Sequence, residues 1–242
     1  MKILLTGATS GIGFETLKEL VNANYSIIAV GRDFSKIQDF VNQNISQIEM
    51  FNYDLSEVDG IEQLFVSFAL NNQKFDAMIH CAGVEETVPL KLYSPEKIKQ
   101  IFDVNVFSGI ELLRHFTKKK YSNEGASAVF ISSVMGVLGQ PGKVGYCATK
   151  AALIGVVKSS ALEFAKRKIR VNAILPGLVE TPMTEALFSK INKEQIDKIT
   201  NMHPLGLGKV NDVVPAILFL ISENTRWITG QSIIIDGGYS AQ

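Results

Sequence analysis

Short apolar runs alternate along this sequence with longer segments whose apolar residues recur every three or four positions. Predicted strands lie at residues 3–5, 26–30, 47–51, 77–80, 128–132, 170–175 and 232–235, and predicted helices at 13–22, 35–44, 58–70 and 151–166. Because the strands are apolar almost throughout, helices must cover both faces of the sheet. The pattern predicts an α/β fold: a Rossmann-type doubly wound parallel sheet of about seven strands, in a single domain over residues 1–242.

The charges of the chain cancel, with 24 basic and 24 acidic residues. This balance excludes the broad electropositive face that nucleic-acid binding needs. The longest stretch without a charge, residues 125–142, holds several glycines and a proline, which exclude a membrane span. The two cysteines, Cys81 and Cys147, lack metal-ligand spacing and indicate a reduced chain. An apolar strand starts directly after Met1, where a signal peptide would be expected in a secreted protein. We therefore expect a cytoplasmic protein with no metal site and no membrane or nucleic-acid partner.

A glycine-rich turn at residues 6–13 connects the first predicted strand to the first predicted helix. Glycine lets the backbone approach a pyrophosphate closely, and the helix N-terminus offers free N–H groups to the anion. The alternative is an ordinary strand-to-helix turn, since the spacing Gly-x-x-x-Gly-x-Gly differs from the usual dinucleotide fingerprint. The position of the turn favours a dinucleotide site, with contacts from Gly7, Thr9, Ser10, Gly11, Ile12 and Gly13.

Two residues after the second predicted strand bear on the choice of dinucleotide. Arg32 follows Gly31 and could bind the 2′-phosphate of NADP, whereas an acidic side chain here would bind the ribose of NAD. Asp33 could have that second role, or it could cap the next helix. NADP(H) is favoured and NAD(H) stays open.

A tyrosine and a lysine four residues apart on one helix can reach the same reacting centre. The chain contains two such pairs, Tyr93/Lys97 and Tyr146/Lys150, so the spacing alone has no specificity. Pro95 argues against a helix through the first pair, while Ser133 stands thirteen residues before Tyr146, at the end of a predicted strand. Tyr146, Lys150 and Ser133 are therefore the candidate catalytic residues.

The three side chains suit acid–base chemistry at a carbonyl or alcohol oxygen. A phenol with a pKa of about 10 ionises poorly at neutral pH, but a neighbouring ammonium and a positively charged nicotinamide ring favour the phenolate. Tyr146 would then give a proton to a ketone or remove one from an alcohol. Ser133 would hydrogen-bond the same oxygen, and the cofactor would supply the hydride.

Taken in order, these motifs resemble those of the short-chain dehydrogenase/reductase family, over residues 2–238. The turn motif Thr-Gly-x-x-x-Gly-x-Gly is met at residues 6–13, and the family's Ser, Tyr and Lys fall on the three residues above. The resemblance implies a fourth catalytic residue, Asn105, which holds a proton-relay water through a helix distortion. It also implies cofactor contacts from Asp54, Leu55, Ala82, Gly83, Tyr146, Lys150, Pro176, Gly177, Val179 and Thr181.

The chain departs from the family pattern at a few positions. His80 and Cys81 stand where the family commonly has two asparagines, and a thiol cannot replace the hydrogen bonds of an amide. Ser10 stands where many NADP-preferring members have a basic residue.

The resemblance implies reversible hydride transfer between the nicotinamide and a ketone or secondary alcohol. The layout is nearest to 3-oxoacyl-carrier-protein reductases, but NAD-linked alcohol, sugar and steroid dehydrogenases share it. A non-catalytic dinucleotide sensor would be expected to lack Tyr146 or Lys150. Substrate choice should depend on residues 83–89, 134–143 and 184–204, the last a helical insert and candidate lid.

The sequence bears on two kinds of partner beyond the small-molecule substrate. The family usually forms dimers or tetramers, which implies a homotetramer here. Lys118, Lys119 and Lys120 could attract an acidic carrier protein, but a solvated helix end before a loop at residues 122–125 is favoured, because cations suit helix C-termini.

Overall fold

The seven predicted strands pair into one parallel sheet. A computed structural model of the protein describes residues 1–68 and 73–241. Its strands are β1 Lys2–Thr6, β2 Ser26–Gly31, β3 Ile48–Asn52, β4 Phe75–His80, β5 Ser122–Ile131, β6 Arg170–Pro176 and β7 Ser232–Ile235. They pair in the order β3-β2-β1-β4-β5-β6-β7, and every pair is parallel. The predicted fold class is confirmed.

Helices cover both faces of this sheet. The α-helices are α1 Gly11–Asn22, α2 Gln38–Gln43, α3 Ile61–Phe68, α4 Pro95–Phe102, α5 Ser108–Phe116, α6 Val144–Glu163, α7 Pro182–Phe188, α8 Lys193–Asn201 and α9 Val210–Ile221. Side chains alternate along β1, so Leu4 enters the core formed with α3, α5 and α6, while Ile3 and Leu5 enter the core formed with α1, α2 and α9. No helix among the described residues is long and apolar enough to cross a membrane.

Two predicted boundaries are wrong. Residues 122–125 are not a loop, because β5 begins at Ser122, which pairs with Phe75 before the register shifts. Arg167 stabilises this polar start by donating to the Ser122 carbonyl oxygen at 2.8 Å. The long helix α6 begins at Val144, seven residues before the predicted segment 151–166, and ends at Glu163.

Two of the predicted helices are shorter than expected. Segment 35–44 begins with a 3₁₀ turn, Ser35–Ile37, and continues as α2. Segment 58–70 likewise begins with a 3₁₀ turn, Val58–Gly60, and continues as α3; its residues 69–70 lie outside the described part of the chain.

The strand order places a crevice at the carboxyl ends of β1 and β4. The chain leaves β1 towards β2 on one side, and β4 continues towards β5 on the other, so the two connections diverge and open the sheet edge between them. Ligand-binding residues are therefore expected to follow directly after these strands.

A buried polar contact joins β1 and β4 beneath that crevice. The Thr6 hydroxyl lies 2.9 Å from Nδ1 of His80, and both side chains are fully buried. The ring packs edge-on against Phe130, and its Nε2 has no hydrogen-bond partner among the described residues. Burial lowers the pKa of His80 to about 3, and the charge of Lys150 acts in the same direction.

This histidine should make the protein acid-sensitive. The unfolded chain takes up a proton at His80 near pH 6.5 while the folded chain excludes it to about pH 3, so stability is lost as the pH falls through this window. Between pH 7.5 and pH 5 the loss from this residue should be about 2 kcal/mol. Urea unfolding of the wild type and of His80→Asn at both pH values measures it. Equal pH dependence in the two proteins would contradict this role of His80.

Candidate active site

Every residue predicted to contact the cofactor lines one crevice at the carboxyl edge of the sheet. Ser133, Tyr146 and Lys150 line it as well, whereas Asn105 lies behind its wall. The crevice extends from the turn after β1, past the ends of β2, β4, β5 and β6, to helices α7 and α8. The residues that were separated by up to 174 positions, from Gly7 to Thr181, are thus brought together.

The turn after β1 can approach an anion closely, because its glycines stand where a side chain would clash with neighbouring backbone. Gly7 and Gly11 have positive φ values of 68° and 52°. A Cβ on Gly13 would lie 2.1 Å from the Gly7 carbonyl oxygen, and one on Gly7 would lie 2.6 Å from the Ala82 nitrogen. The Ser10 side chain does not cap α1, so N–H groups of the first helical turn are available to a pyrophosphate.

The end of β2 places Arg32, but not Asp33, on the crevice wall. The Asp33 carboxylate instead accepts hydrogen bonds from the Ser35 backbone N–H at 2.8 Å and from its hydroxyl at 2.9 Å. These two bonds lower the pKa of Asp33. Of the two alternatives for Asp33, the structure favours the capping role, because its carboxylate binds Ser35 at the start of the 3₁₀ turn.

Asp54 and Leu55 follow β3 on the same side of the crevice. The Ser56 backbone N–H donates to Asp54 at 2.9 Å and lowers the pKa of this carboxyl, and the positive charge of Arg32 contributes in the same direction. The part of the crevice predicted to hold the adenosine therefore includes both a cation and a carboxylate.

The catalytic candidates meet where β5 approaches α6. Tyr146 lies in the first turn of α6 and Lys150 in the next, and Ser133 follows β5. The Lys150 ammonium donates to the Ile131 carbonyl oxygen at 2.9 Å, and the Ser132 hydroxyl donates to the Lys150 carbonyl oxygen at 2.8 Å. These two bonds fix α6 against the end of β5. The Lys150 nitrogen lies 5.7 Å from the centre of the Tyr146 ring.

Burial opposes the ionised form of Tyr146 and of Lys150. It raises the pKa of Tyr146 to about 12, while the hydrogen bond with Ser133 lowers it and the charge of Glu85 raises it further. Burial lowers the pKa of Lys150 to about 8. At neutral pH the arrangement therefore presents a protonated phenol, which can donate a proton, beside an ammonium group.

Asn105 lies in a π-helical turn, Asp103–Phe107, between α4 and α5. Its amide oxygen accepts from the Val84 N–H at 2.8 Å, and its amide nitrogen donates to the Val84 carbonyl at 2.9 Å and to the Thr149 hydroxyl at 3.1 Å. The side chain thus joins the loop after β4 to α6. A Cβ on Gly83 would lie 3.4 Å from the Asn105 amide oxygen and 3.3 Å from the Lys150 nitrogen. Glycine at this position therefore leaves the space between these two side chains free.

The segment after β6 closes the crevice over the glycine turn. Pro176 at the end of β6 lines the wall together with Gly177 and Val179, and Val179 forms a parallel bridge with Gly208. The Thr181 hydroxyl caps α7 by accepting from the Thr184 N–H at 3.3 Å. Because a Cβ on Gly11 would lie 3.2 Å from the Thr181 methyl group, the two segments that are predicted to bind the cofactor are in contact.

The departures from the family pattern are absorbed by packing. Cys81 lies in the crevice wall, where burial raises the pKa of its thiol to about 12. Its thiol hydrogen-bonds Thr16, and its backbone N–H donates to the Thr6 carbonyl at 3.2 Å. The side chain therefore acts as a small packed group.

Tyr93, from the rejected pair Tyr93/Lys97, precedes α4 and packs beside Gly145, outside the crevice lining.

Sequence reasoning missed His203 and Tyr239, which line the crevice from the base of the 184–204 insert and from the C-terminal segment. Their rings stack with centres 4.7 Å apart, and His203 Nδ1 donates to the Ile199 carbonyl at 2.9 Å. Nε2 then accepts from the Leu178 N–H at 3.4 Å. No spacing in the sequence connects these residues, and only the fold brings them together.

The comparisons with known proteins agree with this geometry. The family model described as Enoyl-(Acyl carrier protein) reductase matches residues 7–240. The 3-oxoacyl-(acyl-carrier-protein) reductase FabG of Rickettsia bellii is 32% identical over 237 residues, which cover 97% of this chain and 95% of the relative.

Solved structures are similar over the whole chain. A 4-hydroxyisoleucine dehydrogenase complexed with NADH has a TM-score of 0.92 and 34% identity, and the match covers 100% of this chain and 99% of that one. ElxO with NADP bound has a TM-score of 0.87 and 27% identity, with the same coverage. With its motifs, fold and crevice, the chain belongs to the short-chain dehydrogenase/reductase family of nicotinamide-dependent oxidoreductases.

Proposed function

We propose that this protein reduces a ketone to a secondary alcohol with NADPH, in the manner of a 3-oxoacyl-carrier-protein reductase. The observation that carries the proposal is the arrangement of Ser133, Tyr146 and Lys150 at one end of a crevice whose other end fits a dinucleotide. The curated relative that matches nearly the whole chain at 32% identity is named for this activity.

The side chains divide the chemistry between them. The nicotinamide, when bound, supplies the hydride. Ser133 and Tyr146 hydrogen-bond the substrate oxygen, and the Tyr146 hydroxyl donates its proton as negative charge develops there. Lys150, held by the Ile131 carbonyl, stabilises the resulting phenolate. Asn105 keeps the loop after β4 in place through its two bonds to Val84.

The substrate end of the crevice favours an apolar group beside the ketone. The insert at residues 184–204 contains α8 and most of α7, and we propose that it acts as a lid. The crevice-lining apolar residues at this end are Val84, Val134, Met135, Met183, Leu187, Ile199 and Met202. An acyl chain is the kind of group that such a surface binds.

A substrate linked to an acidic carrier protein would need a basic docking surface, for which the lysine run at residues 118–120 is the candidate. Of the three consecutive lysines, Lys118 faces Glu62 at 3.9 Å and the Lys120 nitrogen lies 4.4 Å from the centre of the Tyr121 ring. These local contacts favour the solvated interpretation of the lysine run over a docking site for an acidic carrier.

NAD-linked oxidation of an alcohol is the second candidate. It is favoured by the similarity to the dehydrogenase solved with NADH, and by a carboxylate, Asp54, near Arg32. Under this proposal the same residues act in reverse, with Tyr146 removing the proton of the alcohol.

Cofactor preference separates the two candidates. We expect NADPH to bind more tightly than NADH, and Arg32→Ala to weaken NADPH binding by about tenfold or more, because a charge-assisted bond to the 2′-phosphate is lost. NADH binding should change little. Titration of each reduced cofactor, followed by fluorescence, measures both. Asp33→Asn is the matched control, because it removes a charge outside the crevice lining and should change neither affinity. Preference of the wild type for NADH, with a large loss of NADH affinity in Asp54→Asn, would favour the second candidate.

Turnover requires the phenol. In Tyr146→Phe we expect loss of ketone-dependent NADPH oxidation by at least about a hundredfold, the usual contribution of a positioned general acid. NADPH binding should persist, because the phenyl ring keeps the shape of the site. Absorbance of the reduced cofactor with a panel of 3-oxoacyl thioesters and simple ketones measures turnover. Undiminished turnover in this variant would refute the assigned proton donor.

We also propose that the chain assembles into a homotetramer, as the family resemblance implies. Two strongly exposed apolar side chains, Leu162 at the end of α6 and Trp227 after α9, support a covered surface in solution. Light scattering should give a tetramer mass, and Leu162→Glu with Trp227→Glu should lower it. A monomeric wild type would contradict the proposal.

A further inference from the structure

A buried ion pair joins the two loops that form one wall of the substrate end. Glu85, on the loop after β4, contacts the ammonium of Lys143, immediately before α6, and their side chains are only 15% and 7% exposed. The Thr87 hydroxyl donates to the same Glu85 oxygen at 2.9 Å, and the Val88 N–H donates to the Gly142 carbonyl at 2.8 Å. Glu85 and Lys143 are therefore held in a fixed position in the crevice lining.

The pair lies against the catalytic tyrosine. The Lys143 nitrogen is 5.9 Å from the centre of the Tyr146 ring, nearly the same distance as the Lys150 nitrogen at 5.7 Å. The two ammonium groups differ in their partners, because Lys150 is bound by a neutral carbonyl and Lys143 by a carboxylate. The phenol thus faces one uncompensated cation and one compensated cation.

Burial of this pair is not explained by stability alone. The loss of hydration by two buried charges roughly cancels their attraction, so apolar residues of similar size would hold the loops as well. Unlike apolar residues, the two charges of the pair affect the ionisation of Tyr146. Glu85 disfavours the phenolate, which raises the pKa of Tyr146. A cation 5.9 Å from the ring centre, as Lys143 is, favours the phenolate.

We infer that Glu85 and Lys143 are positioning residues for the acid–base step: Lys143 cancels the repulsion between Glu85 and the Tyr146 phenolate, so the intact pair leaves the pH at which the phenol ionises unperturbed, whereas either charge alone would shift it. The inference rests on the acid–base role proposed for Tyr146. The other groups facing the phenol are Lys150 and Cys147 on its own helix and the Ser133 hydroxyl after β5.

Opposite shifts in matched variants test the inference. In Lys143→Gln the pH midpoint of kcat/KM for alcohol oxidation should rise, and in Glu85→Gln it should fall, each by about half to one pH unit for a charge at this distance. The double variant Glu85→Gln/Lys143→Gln should return close to the wild type, and Lys143→Arg should keep its midpoint. Shifts in the same direction, or no shift, would overturn the inference.

An exposed pair beside the first provides the control. Glu86 and Lys97 lie 3.4 Å apart with side chains 36% and 48% exposed. Replacing both with glutamine should leave the midpoint unchanged. If the crevice pair only fastens the loops, its variants should change KM or the melting temperature while the pH midpoint stays at the wild-type value, and the inference would be wrong.

A spectroscopic measurement separates failure of the inference from failure of the proposed function. Tyrosinate absorbance of the NADP⁺ complex, with the spectrum of Tyr146→Phe subtracted, reports ionisation of this phenol without any substrate. The same opposite shifts should be seen there even if no tested ketone or alcohol is turned over. Identical titrations in all variants would refute the inference, whatever the enzyme's substrate.

Discussion

The backbone of the first turn lies directly against the backbone that follows β4, and the crevice depends on this contact. There is no room for a Cβ on Gly7, because Ala82 occupies that space, or on Gly13, because the Gly7 carbonyl does. The Thr6–His80 contact below holds the two strands at the same level. The crevice predicted to bind the dinucleotide therefore opens where two parallel strands diverge, and three glycines let the turn approach the neighbouring backbone closely.

The charge of Lys150 affects the ionisation of the neighbouring residues at the end of β4. It is buried against a carbonyl oxygen and not a carboxylate, so its charge is not cancelled locally. The same charge disfavours protonation of His80 and favours ionisation of Cys81, although burial keeps that thiol protonated. The chain thus tolerates a histidine beneath the active site because both burial and the neighbouring ammonium keep its ring neutral.

The sequence predicts the fold and most of the crevice because both depend on local patterns. Apolar runs give the strands, and a residue that directly follows a strand is brought to the carboxyl edge whatever its distance along the chain. The start of β5 was missed because Ser122 and Gly125 have turn composition, and tertiary contacts with Arg167 override it. Other features have no local signature. The stacking of His203 on Tyr239 and the pairing of Glu85 with Lys143 join segments whose approach only the folded chain determines.

Charge is distributed unevenly along the crevice, and this distribution separates its two ends. At the dinucleotide end, the N-terminus of α1 presents positive potential, and Arg32 contributes a cation beside Asp54. At the substrate end, the cation Lys143 is paired with Glu85, and the remaining lining is largely apolar. An anionic cofactor is thereby attracted to one end, while the other end suits a neutral group beside the reacting carbon. In the mechanism proposed above, the negative charge that develops on the substrate oxygen lies between these two ends, within reach of Ser133 and Tyr146, where the uncompensated Lys150 ammonium stabilises it.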